Sequence, residues 1–333
     1  MQDWYSLIFS DEITFEEKAR RIFEYQFGEN PVYRRFCEAL RGEEIFSRIQ
    51  EDVSNIPLLP IRAFKDANLS TQPEKEPDLV FKSSGTSDMQ QSIHNIQNAA
   101  LYEQSLMKGF RQFYDLDSAV IWGYTPGYAD NPHSSLIYMI QKLIDQDESG
   151  LSRFLPLDEP LNRDAISELR KSGKHLILFG AAFGLLDLLE MDEVKLPSNS
   201  IVIETGGMKT HRREIRRKQL HRKLARGFGL DGSRIHSEYG MAELLSQCYA
   251  TGGSWFKTVP WVQVSIRDPE DPSEEVRQGK GGLIGVMDLA NVHSCPFLLT
   301  GDKGQMDERG RFQVMGRWNP TDLRGCNFLI EED

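Results

Sequence analysis

Apolar residues recur at helical spacing through residues 15–27, where Phe15, Ala19, Ile22, Phe23 and Phe27 form one stripe. Pro31 is placed to open a second helix carrying Val32, Phe36, Leu40 and Ile45, and Pro57 and Pro60 then break the pattern. Residues 70–78 are polar and contain Pro73 and Pro77, the texture of a loop. Beyond them, short apolar runs alternate with amphipathic stretches. Residues 79–82, 119–124, 175–179 and 200–203 have strand length, whereas 94–114, 135–143 and the leucine-rich stretch after Gly184 read as helices. Such alternation predicts an α/β fold with a largely parallel sheet flanked by helices.

After about Trp255 the texture changes. Residues 262–266 alternate apolar and polar, 281–286 form a glycine-flanked strand, and 297–300 and 311–314 are further short strands. This predicts a smaller, strand-rich unit packed on the first. The chain therefore divides into a helical N-terminal region (1–60), an α/β core (61–254), a strand-rich subdomain (255–317) and a short C-terminal segment (318–333).

Composition narrows the function classes. Of 333 residues, 39% are hydrophobic and 27% charged, as in soluble globular proteins. No apolar run approaches the roughly 20 residues of a membrane span. The start Met1-Gln2-Asp3-Trp4 lacks the basic and apolar regions of a signal peptide, so a cytoplasmic protein without a membrane span is expected. A net charge of −11 argues against nucleic acid as a partner. Cys37, Cys248, Cys295 and Cys326 form no CxxC pair, and the histidines form no HExxH, so no structural metal is expected. Against the acidic background, residues 209–226 hold nine Lys or Arg. They read as a solvated helix face, or as a docking surface for an acidic partner or the phosphates of CoA.

Four segments carry candidate chemistry. Ser83-Ser84-Gly85-Thr86-Ser87 follows a strand and offers hydroxyls and backbone N–H groups to a polyphosphate, without the GK[ST] ending of a Walker loop. Glu238-Tyr239-Gly240-Met241-Ala242-Glu243 puts an aromatic, a glycine and an acid between two elements, where an exposed Glu243 could hold Mg²⁺ against phosphate oxygens. Thr300-Gly301-Asp302 reads as a strand end whose carboxylate could accept ribose hydroxyls, or as a hairpin turn. Gly316-Arg317 closes a hairpin that turns at residues 307–310, with the arginine available for phosphate. Small and apolar residues at 179–183 and 206–208 line an acyl pocket or belong to the core.

In this order the segments resemble the adenylate-forming superfamily of acyl-CoA synthetases, peptide-synthetase adenylation domains and luciferases. The resemblance runs over about residues 80–320, with Gly206 and Gly207 of Glu204-Thr-Gly-Gly207 similar to the adenine-side segment. Within the superfamily, Asn131-Pro-His-Ser-Ser-Leu136 and Leu323-Arg-Gly-Cys-Asn-Phe328 are similar to the acyl-protein synthetases of the LuxE type. The resemblance implies the N-terminal-domain fold of that superfamily. It implies ATP and Mg²⁺ as cofactors and a carboxylic, specifically fatty, acid as substrate. It further implies acylation of Cys326 and delivery to a partner acyl-CoA reductase; the neighbouring Arg324 could favour the Cys326 thiolate.

Three departures stand out. Ala242 replaces a threonine, Asp88 and Gln90 follow the phosphate loop where Gly and Lys are usual, and 16 residues after Arg317 leave no room for the mobile C-terminal domain and its lysine. Two other readings stay open: a ligase that hands the acyl group to CoA or a carrier protein, and a non-catalytic adenylate-binding subunit.

Overall fold

The structure is a computed structural model that describes residues 3–41, 44–83, 91–126, 131–192, 194–206 and 215–318. It opens with helices α1 (Trp4–Phe9), α2 (Phe15–Glu29), α3 (Pro31–Arg41) and α4 (Ile45–Glu51). Thr14 caps α2 by accepting from the Glu17 N–H, which supplies one of the four donors a helix start leaves unpaired. The helical pattern expected to run from Pro31 to Ile45 is split into α3 and α4.

Strand β1 (Leu59–Pro60) and the short helix α5 (Ala63–Asp66) lead to a hairpin of β2 (Leu79–Lys82) and β3 (Ile93–Ile96), followed by α6 (Ala99–Arg111). Here the sequence pattern misleads. Residues 94–96, expected as the start of a helix, pair with β2 as a strand. Asn98 then caps α6 through the Leu101 N–H, so the helix begins at Ala99.

The α/β layer follows: β4 (Ala119–Tyr124), α7 (Ser135–Ile144), β5 (Arg153–Phe154), α8 (Arg163–Ser172), β6 (His175–Ala181), α9 (Ala182–Met191), β7 (Ile201–Thr205), α10 (Arg217–Phe228), β8 (Ile235–Tyr239) and β9 (Cys248–Ala250). Its sheet has the order β5-β4-β6-β7-β8-β9, parallel throughout except for the antiparallel β8–β9 pair. Alternate side chains enter two different cores, as the period of a strand requires. Val120, Trp122, Leu176 and Leu178 pack with Leu169 of α8, Leu185 of α9 and Leu224 of α10. Ile121, Ile177 and Phe179 pack on the other side with Phe110 of α6 and Ile140 of α7. Both faces are therefore covered, which explains why these strands read as unbroken apolar runs.

The remaining strands are β10 (Val262–Arg267), β11 (Gly282–Asp288), β12 (Phe297–Met306) and β13 (Phe312–Arg317). They form a second sheet in which β1 lies parallel to β12, and β10, β11, β12 and β13 pair antiparallel. A third core joins this sheet to the N-terminal helices, with Phe23, Tyr33 and Phe297 in mutual ring contact. Among the described residues no helix is long and apolar enough to cross a membrane.

Candidate active site

The site begins where β7 and β8 end side by side. Their register sets Glu204 opposite Ser237 and Thr205 opposite Glu238. Both glutamates are buried, at 3% and 7% exposure, yet their surroundings drive them apart. Burial pushes the Glu204 carboxyl up. The hydrogen bond from His221, the Arg217 charge and the Ser237 hydroxyl outweigh it and hold the group below the ordinary carboxylate range. Ser237 Oγ donates to Glu204 Oε1 at 2.5 Å, while His221 Nε2 and Arg217 Nε lie 3.3 and 3.4 Å from the same oxygen. Among the described residues no cation matches these at Glu238. Burial pushes it up to about 7, against a hydrogen bond donated by the Thr205 hydroxyl and with a further push from the Glu204 charge. Near neutrality one carboxyl is ionised and its neighbour shares a proton.

Around the end of β8 stands an aromatic group. The Tyr239 ring meets Phe256 and Phe312 edge-on, at 5.9 and 5.5 Å between centroids, and those two rings stack on each other at 5.3 Å. The Arg217 guanidinium lies 5.0 Å above Phe256. Tyr239 Oη donates to Asp302 Oδ2 at 2.9 Å, and Arg317 Nε meets Asp302 Oδ1 at 3.0 Å. Asp302 is 6% exposed and the Arg317 side chain 59%. The Thr300-Gly301-Asp302 segment is neither a strand end nor a turn, because β12 continues to Met306. Register with β13 then puts Arg317 directly across from Asp302. Thus Tyr239, Asp302 and Arg317, drawn from three separate motifs, converge on one point.

Between β8 and β9 runs the segment 240–247. A Cβ at Gly240 would strike the Glu238 carboxyl and touch Gln247, so any side chain there displaces that carboxyl. Met241 is half-buried, and Glu243, expected to be exposed, is only 7% so. The reason is its company: Ala242, Leu244 and Leu245 are apolar and draw the segment into the core beneath the second sheet. Among the described residues no partner of the Glu243 carboxylate is found.

The remaining candidates are placed only in part. Ser83 closes the neck of the β2–β3 hairpin, its N–H donating to Ser92 O at 3.1 Å and its Oγ accepting from Ser92 N at 2.9 Å. Ser84, Gly85, Thr86 and Ser87 lie outside the described residues, as do Gly207 and Cys326. Gly206 directly follows β7 with φ at 80°, a left-handed conformation that suits glycine. Cys295, the other cysteine near the C-terminal end, is fully buried, and burial pushes it up to about 12, away from thiolate chemistry.

Sequence reasoning missed four contributors: Arg217, His221, Phe256 and Phe312. The first two sit in the basic stretch read as a solvated face or docking surface. Their signal was the spacing: 217 and 221 are four apart and share a helix face, with Leu220 and Leu224 buried beside it.

Comparison with known proteins now adds to the geometry. Residues 144–333 match the family model described as "Acyl-protein synthetase, LuxE". The chain is 24% identical over 334 residues to the long-chain-fatty-acid–luciferin-component ligase of Vibrio harveyi, covering 93% of this chain and 85% of that protein. It is 23% identical over 356 residues to the corresponding ligase of Aliivibrio fischeri, covering 98% and 89%. Among solved structures, 2-hydroxyisobutyryl-CoA ligase in complex with 2-HIB-AMP and CoA superposes with a TM-score of 0.62 at 12% identity, covering 91% of this chain and 69% of that one. ATP-bound MatB from Rhodopseudomonas palustris gives 0.51 at 18% identity, over 73% of this chain and 49% of its own length. These likenesses establish the adenylate-forming α/β fold.

Proposed function

We propose the following function for this chain, which belongs to the LuxE family of acyl-protein synthetases: it activates a fatty acid with ATP as an acyl-adenylate, then takes the acyl group onto Cys326 for delivery to a partner acyl-CoA reductase. The chain is a ligase of the adenylate-forming kind. The observation that carries the reading is the convergence of Tyr239, Asp302 and Arg317 at the end of β8. An aromatic face, a buried carboxylate and a cation within one cluster suit a nucleoside bearing ribose hydroxyls and phosphate.

The residues fit ATP in kind. Asp302 would accept the ribose hydroxyls, and Gly206 with Gly207 would border the adenine, where a left-handed glycine leaves the strand end bare. Met241 and Gly240 would line the wall next to Tyr239. Ser83, Ser84, Gly85, Thr86 and Ser87 would cradle the phosphates with hydroxyls and amides. The buried Glu243 carboxylate would hold Mg²⁺, which when bound neutralises phosphate charge.

In the first half-reaction a carboxylate oxygen of the acid attacks the α-phosphorus, the bond to the bridging oxygen breaks, and pyrophosphate leaves with that electron pair. Catalysis there is positioning and charge neutralisation, with Arg317 adding positive charge. In the second, the Cys326 thiolate attacks the acyl carbonyl and AMP leaves, giving a thioester. Of the apolar residues at 179–183, Phe179 is fully buried in the core that β6 shares with α6, whereas Ala181 and Phe183 are part-exposed.

One experiment tests the reading. The protein is incubated with ATP, Mg²⁺ and labelled fatty acids, and both pyrophosphate and hydroxylamine-sensitive label on the protein are measured. The expected result is pyrophosphate release with label that disappears in Cys326→Ser. Acyl-adenylate without label on the protein would transfer the second half-reaction to CoA or a carrier protein. No pyrophosphate with any acid would leave an adenylate-binding subunit.

A further inference from the structure

The segment that carries Glu243 is held by three buried side chains from outside it. Asp288, at the end of β11, accepts from Leu245 N at 2.8 Å and from Ser246 Oγ at 2.6 Å. Asn291, three residues on, donates through Nδ2 to the Glu243 carbonyl at 2.9 Å and to the Cys295 carbonyl at 3.0 Å. His94, on β3, donates from Nδ1 to the Ala242 carbonyl at 2.7 Å. All three are at most 1% exposed. Burial pushes His94 down to about 4, against the pull of two acceptors that favour protons on the ring, the Ala242 carbonyl at Nδ1 and Asn291 Oδ1, 3.0 Å from Nε2. Phe64 packs edge-on to the same ring at 5.0 Å.

These contacts hold the segment at three backbone atoms, Ala242 O, Glu243 O and Leu245 N, and at the Ser246 hydroxyl, from β3 on one side and from the end of β11 and the turn after it on the other. A segment of this length without regular structure has no hydrogen-bond ladder of its own, so its conformation is set by what it is tied to. The ties go mainly to the main chain on either side of Glu243, and none of them takes its carboxylate. A buried carboxylate that must meet a cation needs this kind of support, because small misplacements of a charged group are costly where water cannot compensate.

The geometry points to a latch: His94, Asn291 and Asp288 are positioning residues that fix the backbone around Glu243, and through β3 they couple the hairpin that carries the phosphate-loop residues to the second sheet. This deepens the reading of Glu243 as the phosphate-side carboxylate and rests on it. None of the three touches the reacting atoms.

Two measurements on the full chain test the latch. Hydrogen exchange by mass spectrometry is read first, without ligand, for His94→Ala and Asn291→Ala. Protection of peptides covering 240–247 falls on the order of tenfold or more, while that of β4 is unchanged. Kinetics follow: the Mg²⁺ concentration that half-saturates pyrophosphate release rises by about tenfold, while AMP binding is unchanged. If an alanine variant fails to fold, Asn291→Ser replaces it. Unchanged exchange across 240–247, or loss of protection spread evenly over the chain, overturns the latch. Local loss of protection with unaltered Mg²⁺ dependence overturns its link to Glu243. Absence of pyrophosphate release by the unaltered protein instead overturns the functional reading and leaves the exchange result to stand alone.

Discussion

Tyr239 and Asp302, from different sheets, meet through a 2.9 Å hydrogen bond in which the phenol donates to a carboxylate that is 6% exposed. The bond orients the carboxylate, and Arg317 opposes its second oxygen. Tyr239→Phe retains the ring contacts with Phe256 and Phe312 but deprives the buried acid of a charge-assisted donor. The expected cost is about 1.5–3 kcal/mol of stability, read by chemical denaturation. A change well below that range would mean that Asp302 is satisfied without the tyrosine.

Asp302→Asn separates charge from shape at the same place. The amide keeps one acceptor but loses the negative charge that would receive two ribose hydroxyls. ATP affinity, followed by titration with a fluorescent analogue, is expected to fall by roughly ten- to a hundredfold. Affinity for inorganic pyrophosphate, which has no ribose, stays as it was.

The Glu238 carboxyl gives a pH dependence of definite sign. Its folded-state value is raised to about 7 from an ordinary 4.5. Between those values the folded chain holds a proton that the unfolded chain has lost. The associated stability is complete below about pH 4.5 and disappears as pH rises through 7, a change on the order of 3 kcal/mol. Glu238→Gln keeps an acceptor for the Thr205 hydroxyl and abolishes the titration. Melting temperatures of the two proteins should therefore cross over between pH 5 and 8, with the variant the more stable at pH 8. Parallel curves would remove Glu238 as the source.

How much of this was legible in the sequence depends on whether local pattern or tertiary contact decides each residue. The α/β layer was legible because β4, β6 and β7 are covered on both faces and must be apolar throughout. His94 was misread: the polar run 94–98 flows into α6 without a break, and only pairing with β2 makes residues 94–96 a strand. Asp302 was misread in the opposite way. Thr-Gly-Asp has turn chemistry, but β13 pairs across it and holds it in a strand. Glu243 looked like a solvated acid because its own charge says so, whereas its burial is dictated by Leu244 and Leu245. The convergence of Tyr239, Asp302 and Arg317 rests on the register of β12 with β13 and on a contact between two sheets. Motif order hinted at it and spacing alone did not.

The last prediction concerns Arg217, which, besides a long hydrogen bond to the Val314 carbonyl at 3.5 Å, has two side-chain attachments of different physical kinds. Its guanidinium stacks over Phe256 and its Nε faces the Glu204 carboxylate at 3.4 Å, with the side chain 29% exposed. Glu204 is buried, so removal of the cation leaves a charge that His221 and Ser237 must carry alone. Arg217→Ala is expected to destabilise the fold by about 2 kcal/mol, below the range for a fully buried pair because the arginine is part-exposed. Arg217→Lys restores charge without the planar face and recovers only part of the loss. The pH signature distinguishes the two attachments. Glu204 is held below its ordinary 4.5, so its stabilisation is present above that value and is lost as pH falls through the folded-state value. Without Arg217 that loss begins at higher pH, and combining Arg217→Ala with Glu204→Gln cancels it. If the double variant is as acid-sensitive as Arg217→Ala alone, the stacking on Phe256, and not the ion pair, is what Arg217 contributes.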